Sequence, residues 1–252
     1  MSTAIITGAS SGLGREFFDA VIKFYPQITE IWVIARRAER LEQLAETAKN
    51  INVIQLALDI TDESAILKYA ETLKERNPDV KLLINNAGAG KLGYIWELDA
   101  VAQGNSISLN CRAMTEMTAI TIPYMKTGSA IINTCSIAAF APTPRMTVYS
   151  ATKAYVFAFS KGSRAELKQK GINVLAVCPS PMKTEFLEKG GITGKSKAFD
   201  SLPHCDPTDV AKKSIKYAFS GRGIYTPRIL FKLYRFLAKV LPHGFIMKFS
   251  KL

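Results

Sequence analysis

Short, almost wholly apolar runs alternate with helix-length segments from the first residues to about position 226, and this alternation constrains the fold more than any other feature. The runs are Ala4–Ile6, Ile31–Ala35, Val53–Leu58, Leu82–Ile84, Ala130–Asn133, Asn173–Val177 and Ile224–Thr226. A strand with one wet face alternates polar and apolar residues. These runs do not, so they are expected to be buried on both faces of a parallel sheet. Between them, Phe17, Phe18, Val21, Ile22 and Tyr25 recur at helical spacing, as do Ile66, Tyr69, Ala70 and Leu73. Parallel neighbours need crossover helices, so the expected class is α/β, with a doubly wound, mostly parallel seven-stranded sheet and helices on both faces. No linker or repeat interrupts the 252 residues. Residues 1–226 are therefore taken as the body of one domain and 227–252 as its C-terminal extension. Asp206-Pro207-Thr208-Asp209 reads as a helix start, with an N-cap, a proline at the first helical position and an acid in the first turn. Lys189–Phe199 reads as a loop.

Charge is distributed unevenly. The net charge is +12, yet no acid follows Asp209 and positions 210–252 hold ten Lys or Arg. A nearly neutral body argues against a nucleic-acid binder. Cys111, Cys135, Cys178 and Cys205 stand singly, without paired Cys or His spacing, which predicts neither a zinc site nor a disulfide framework. The N-terminus lacks a signal-peptide pattern, and no apolar stretch reaches the roughly 18–20 residues that span a bilayer. A cytoplasmic location is expected.

The first run leads into Thr7-Gly8-Ala9-Ser10-Ser11-Gly12-Leu13-Gly14 and then a helix. Glycines between a strand and a helix N-terminus let a pyrophosphate approach backbone N–H groups, so this turn is a candidate dinucleotide site of a Rossmann fold. The spacing is Gly-x-x-x-Gly-x-Gly. With Asn85-Asn86-Ala87-Gly88 after the fourth run, Asn110 in the next helix, Ser136 after the fifth run and Tyr149-Ser-Ala-Thr-Lys153 downstream, the chain resembles the short-chain dehydrogenase/reductase family in its single-domain branch. The resemblance extends from Thr3 to about Thr226. It implies a nicotinamide cofactor held by Gly8, Ser10, Ser11, Gly12, Leu13, Gly14, Asn86, Ala87 and Gly88, and an assembly as a homodimer or homotetramer.

Arg36-Arg37 follow the second run, where an acid would bind the ribose 2′-hydroxyl of NAD and repel a 2′-phosphate. Arginine offers a planar fork to the phosphate, so NADP(H) is the expected cofactor. Asp59-Ile60 resemble the family's adenine-contacting pair, though Asp59 could equally belong to a helix N-cap region beside Asp62.

Tyr149 and Lys153 lie four apart and share one helix face. A nearby ammonium favours the phenolate and is expected to lower the tyrosine pKa, fitting Tyr149 to exchange a proton with a carbonyl or alcohol. The resemblance implies that Lys153 also holds the nicotinamide ribose, that Ser136 bonds the substrate oxygen, and that Asn110 holds a water relaying protons to Lys153. Beyond the sixth run, Pro179, Met182 and Thr184 are expected along the nicotinamide. Ser180 stands where the family usually has glycine.

In Arg228–Leu241, Arg228, Lys232, Arg235 and Lys239 form a basic stripe among apolar residues. Such a helix could lie on an anionic membrane surface, or pack on its own domain or a second subunit over the substrate cleft. The expected activity is an NADP(H)-dependent interconversion of a small-molecule ketone or aldehyde with an alcohol, on an apolar substrate. The alternative is a membrane-surface or regulatory protein that keeps NADPH as a structural ligand. The complete Asn-Ser-Tyr-Lys set weighs against it. A sugar-nucleotide epimerase would need a longer chain.

Overall fold

The computed structural model describes residues 2–192 and 202–249. Its seven strands are β1 (Ser2–Thr7), β2 (Glu30–Ala35), β3 (Asn52–Ala57), β4 (Asp79–Asn85), β5 (Met125–Thr134), β6 (Asn173–Val177) and β7 (Ile224–Tyr225). They form one parallel sheet in the order β3-β2-β1-β4-β5-β6-β7. Successive residues of a strand point to opposite faces. Ile6, Val33, Ile84 and Val177 accordingly join the core on one face with α1 (Gly12–Phe24), α2 (Ala38–Glu46) and α8 (Pro207–Phe219). Ile5, Trp32, Leu83 and Val174 join the core on the other, against α3 (Glu63–Arg76) and α5 (Met114–Thr121). The expected burial on both faces holds for the inner strands. It does not hold for β3, whose residues are half-buried or exposed because it is the sheet's edge and carries Asn52 and Gln55 outward.

Asp206 caps α8 as the sequence predicts, its side chain accepting from Thr208 N at 3.2 Å with Pro207 in the first turn. The Lys189–Phe199 stretch begins inside a short helix, α7 (Glu185–Lys189), and its residues 193–199 lie outside the described residues. Beyond β7, α9 (Ile229–Val240) and α10 (His243–Phe249) follow. Among the described residues no helix is long and apolar enough to cross a membrane.

A buried amide pair fastens the middle of the sheet. Asn85 Nδ2 donates to Asn133 Oδ1 and to Thr118 Oγ1, both at 2.9 Å, and Asn133 Nδ2 donates to Ser160 Oγ at 2.9 Å. Asn133→Ala removes an acceptor from a group that water cannot reach. It is expected to cost about 1–3 kcal/mol, seen as a lower urea midpoint at unchanged m-value. An unchanged midpoint would show that the pair adds nothing.

Candidate active site

The strand order reverses between β1 and β4, and in open α/β sheets ligands bind beyond the carboxyl ends of the strands at that point. Here one hydroxyl joins the two strand ends. Thr7 Oγ1 accepts from the N–H groups of Asn86 (3.0 Å) and Ala87 (3.1 Å). Asn86 reaches back through Nδ2 to the carbonyls of Thr7 and Gly8, and its Oδ1 accepts from Thr134 on β5. The turn therefore keeps its shape through side-chain bonds to β4 and β5.

Its glycines are required sterically. Gly8 has φ +67° and Gly12 φ +54°, both left-handed. A Cβ on Gly14 would sit 2.1 Å from the carbonyl oxygen of Gly8, so α1 approaches the turn backbone to backbone. Ser11 precedes α1 in extended conformation and gives no side-chain cap, leaving the first-turn N–H groups to an anion. This turn fits a pyrophosphate.

Arg36 and Arg37 diverge. Arg37 Nη2 donates to Ser10 Oγ (3.1 Å) and Ser11 Oγ (3.3 Å), on the phosphate turn itself. Arg36 is 76% exposed and pairs with Asp59 at 3.4 Å. Asp59 also accepts from the backbone and hydroxyl of Thr61, while Asp62 precedes α3 as its N-cap residue and Ile60 is buried. Two residues that sequence reading missed complete the cationic end. Arg40 and Arg37 both pair with Glu185 from α7, and Lys189 pairs with it at 2.7 Å. Hydrogen bonds from Lys189 and Arg40 pull the Glu185 carboxyl down to about 2. Arg40, three residues beyond Arg37 on α2, was within reach of helical spacing; Glu185, 148 residues from Arg37, was not.

At the other end, α6 (Thr147–Leu167) carries both Tyr149 and Lys153. The Ser136 hydroxyl favours the ionised form of the Tyr149 phenol, and Ser136 Oγ accepts from Ala138 N at 3.1 Å. Lys153 is buried, donates to the Thr134 carbonyl at 2.7 Å, and lies 5.7 Å from the Tyr149 ring centroid. Asn110 stands on a π-helical turn, Ser108–Ala113, between α4 (Ala100–Ile107) and α5. The sequence suggests one continuous helix there. The wider turn carries Asn110 into two bonds with the Ala89 backbone, each 2.8 Å, and a third at 2.9 Å to Thr152 Oγ1, between Tyr149 and Lys153 on α6.

The expected lowering of the tyrosine pKa is corrected by this environment. Burial pushes the Tyr149 phenol above its ordinary value, by more than the Ser136 hydroxyl lowers it. Burial likewise holds Lys153 below the usual lysine range. The ammonium is engaged by the Thr134 carbonyl, and burial is what dominates the phenol. Tyr149 is thereby kept as a neutral O–H donor.

Helix α7 covers this end. Phe186 lies 5.5 Å from the Tyr149 ring, and Leu92, Met146 and Ile192 complete an apolar cluster around it. Gly90 was not anticipated. A Cβ there would stand 2.6 Å from the Tyr149 ring and 3.1 Å from Phe186. Pro179 accepts from Ile137 N at 3.1 Å, beside Ser136. Met182 is half-buried against the core, and Thr184 rests on Gly12. Ser180 needs no glycine, since its φ is not positive; its buried hydroxyl donates to the Pro203 carbonyl at 2.8 Å and meets Cys205 Sγ at 3.0 Å.

The family model described as short chain dehydrogenase matches residues 2–192. Sulfoacetaldehyde reductase 2 of Chromohalobacter salexigens is 32% identical over 208 residues, covering 79% of this chain and 81% of its own. A short-chain dehydrogenase from Sphingobium yanoikuyae, solved in complex with NADPH, superposes with a TM-score of 0.79 at 26% identity, over 96% of this chain and 97% of its own. A 3-ketoacyl-(acyl-carrier-protein) reductase from Brucella melitensis, complexed with NADH, superposes at 0.78 and 26% identity, over 90% and 96%.

Proposed function

Because the chain belongs to the short-chain dehydrogenase family, an oxidoreductase family acting on alcohol and carbonyl groups, we propose that it is an NADP(H)-dependent reductase of apolar ketones or aldehydes. The observation that carries this reading is the gathering of Tyr149, Lys153 and Asn110 around the carboxyl end of β5, with Lys153 buried 5.7 Å from the Tyr149 ring and bonded to the Thr134 carbonyl, and Asn110 bonded to Thr152 between them.

When bound, the cofactor supplies the hydride. Tyr149 donates its proton to the carbonyl oxygen as that oxygen gains charge, and Ser136 donates a hydrogen bond to the same atom. The hydride that a bound cofactor would supply and the proton from Tyr149 together turn the carbonyl into an alcohol. Lys153 orients Tyr149 and would hold the ribose of a bound cofactor, and Asn110, bonded to Thr152 beside Lys153, would support return of the proton through water. In the reverse direction Tyr149 accepts the alcohol proton. Leu92, Met146, Phe186 and Ile192 keep water from the reacting carbon and suit an apolar substrate. NADPH oxidation followed at 340 nm against a panel of apolar ketones and aldehydes tests the reading. Tight NADPH binding with no turnover of any carbonyl would favour the structural-ligand alternative.

The cofactor choice rests on Arg37, which lies on the phosphate turn, more than on outward Arg36. One charge-assisted contact is worth roughly 1.5–3 kcal/mol. NADPH is therefore expected to bind at least about tenfold tighter than NADH. Arg37→Ala should remove most of that preference and Arg36→Ala only a small part, both measured by fluorescence titration. Equal affinities of the wild-type protein for the two cofactors would overturn the assignment.

A further inference from the structure

Helix α9 satisfies both readings of the basic tail at once, because it has two apolar faces. One faces inward. Phe231 and Ala238 are buried, Tyr234 packs 6.1 Å from Phe140, and Arg235 donates to Thr226 Oγ1 at 3.0 Å. These contacts fix the helix on the body beside the loop that carries Ser136. The other face is outward. Ile229 is 82% exposed, Leu233 54%, Phe236 62% and Val240 62%, a spacing of 4, 3 and 4 that makes one ridge along the helix. Leu230 and Leu237 widen it. An apolar ridge this continuous marks an interaction surface.

The surrounding charge selects the occupant. Lys232 and Lys239 are exposed, seven residues apart, and sit on one shoulder between the buried face and the ridge. No acid occurs after Asp209, so the ten cations of positions 210–252 meet no acid within that segment. A second copy placed ridge to ridge would set two such tails against each other, like charge against like. An anionic lipid surface takes up both features. The ridge enters the boundary between head groups and acyl chains, while the lysines remain among the phosphates. We propose that α9 docks the protein on anionic membranes through the Ile229–Leu233–Phe236–Val240 ridge and its lysine shoulder. Helix α9 starts where β7 ends, at the carboxyl edge of the sheet where the active site lies, so docking holds that edge close to the bilayer.

The test is cosedimentation of the full chain with phosphatidylcholine vesicles that contain or lack phosphatidylglycerol, at low and high salt. Binding is expected to the anionic vesicles and to weaken with salt, since the screening length shrinks from about 30 Å at 0.01 M to about 3 Å at 1 M. Two substituted proteins separate the components. Lys232→Gln with Lys239→Gln should weaken binding about 30-fold. Leu233→Ser with Phe236→Ser should weaken it at least about tenfold on both vesicle types while leaving the thermal transition in place, because these side chains face outward. Failure of the wild-type protein to cosediment with anionic vesicles at low salt would overturn the proposal. So would binding indifferent to the Leu233 and Phe236 changes, or a dimer that the same changes dissociate. Cofactor affinity measured alongside should not move in either protein, so this result stands apart from that of the proposed chemistry.

Discussion

Tyr149→Phe is expected to reduce carbonyl turnover by about 10²–10⁴-fold, the range that a positioned general acid contributes. The substitution removes the phenol hydroxyl and keeps the ring that packs on Phe186. The fold and the apolar cluster should therefore survive, and the NADPH dissociation constant should stay within about twofold of wild type. Lys153→Ala should differ in kind. It removes the group that bonds the Thr134 carbonyl and lies beside the Tyr149 ring, so turnover and cofactor affinity should fall together. Steady-state rates and fluorescence titration of both variants distinguish the two roles. A Tyr149→Phe protein that keeps more than about a tenth of normal turnover would remove Tyr149 from the chemistry.

Gly14→Ala is expected to be a severe one-carbon change. The added carbon would meet the Gly8 carbonyl oxygen at 2.1 Å and Asn86 Nδ2 at 2.7 Å. The near neighbour is backbone, which cannot rotate away, so α1 must back off the turn. Overpacking of this kind costs about 1–3 kcal/mol or more, and it moves the N–H groups on which a pyrophosphate would rest. A lower melting temperature and loss of measurable NADPH binding are expected together. Gly104→Ala is the control. Gly104 lies within α4 with nothing near its absent side chain, so the same change should stabilise by about 0.5–1 kcal/mol. If both variants melt alike, close packing at Gly14 is not what its glycine serves.

What could be read from the sequence was whatever depends on near neighbours along the chain. The seven apolar runs lie where the strands form, and for the inner strands this is because burial on both faces writes itself as an unbroken apolar string. Tyr149 and Lys153 share a face because helical period is local, and Gly8, Gly12 and Gly14 make one turn because they are only six residues apart. The parts not legible depend on contacts far apart in the sequence. Nothing around Thr184 announces that Glu185 meets Arg37 and Arg40, or that Phe186 meets Tyr149. The π-turn at Asn110 replaces an ordinary helical turn without a Pro or Gly to signal it. The tyrosine pKa depends on how fully the ring is enclosed, which is a property of α7 and of the small residue at Gly90 more than of the lysine four positions away. The two faces of α9 were hidden for a related reason. Apolar residues nearly surround the helix, and only the packed structure divides those that meet Phe140 from those left outside.

The bond from Asn86 to the Gly8 carbonyl spans 78 residues, and that separation bears on how the chain acquires its structure. The phosphate turn is synthesised well before Asn86, yet β1 has only β2 for a neighbour until β4 exists. At about 5–20 residues per second, Asn86 follows Gly8 out of the ribosome by about 4–16 s. During that interval Ala4, Ile5 and Ile6 form a strand with one bare edge, the state in which apolar parallel strands are most prone to pair wrongly. The phosphate turn thus reaches its final shape only after β4 is made, and conditions that slow closure of the β1–β4 pair should lower the yield of folded protein before they affect the protein once folded.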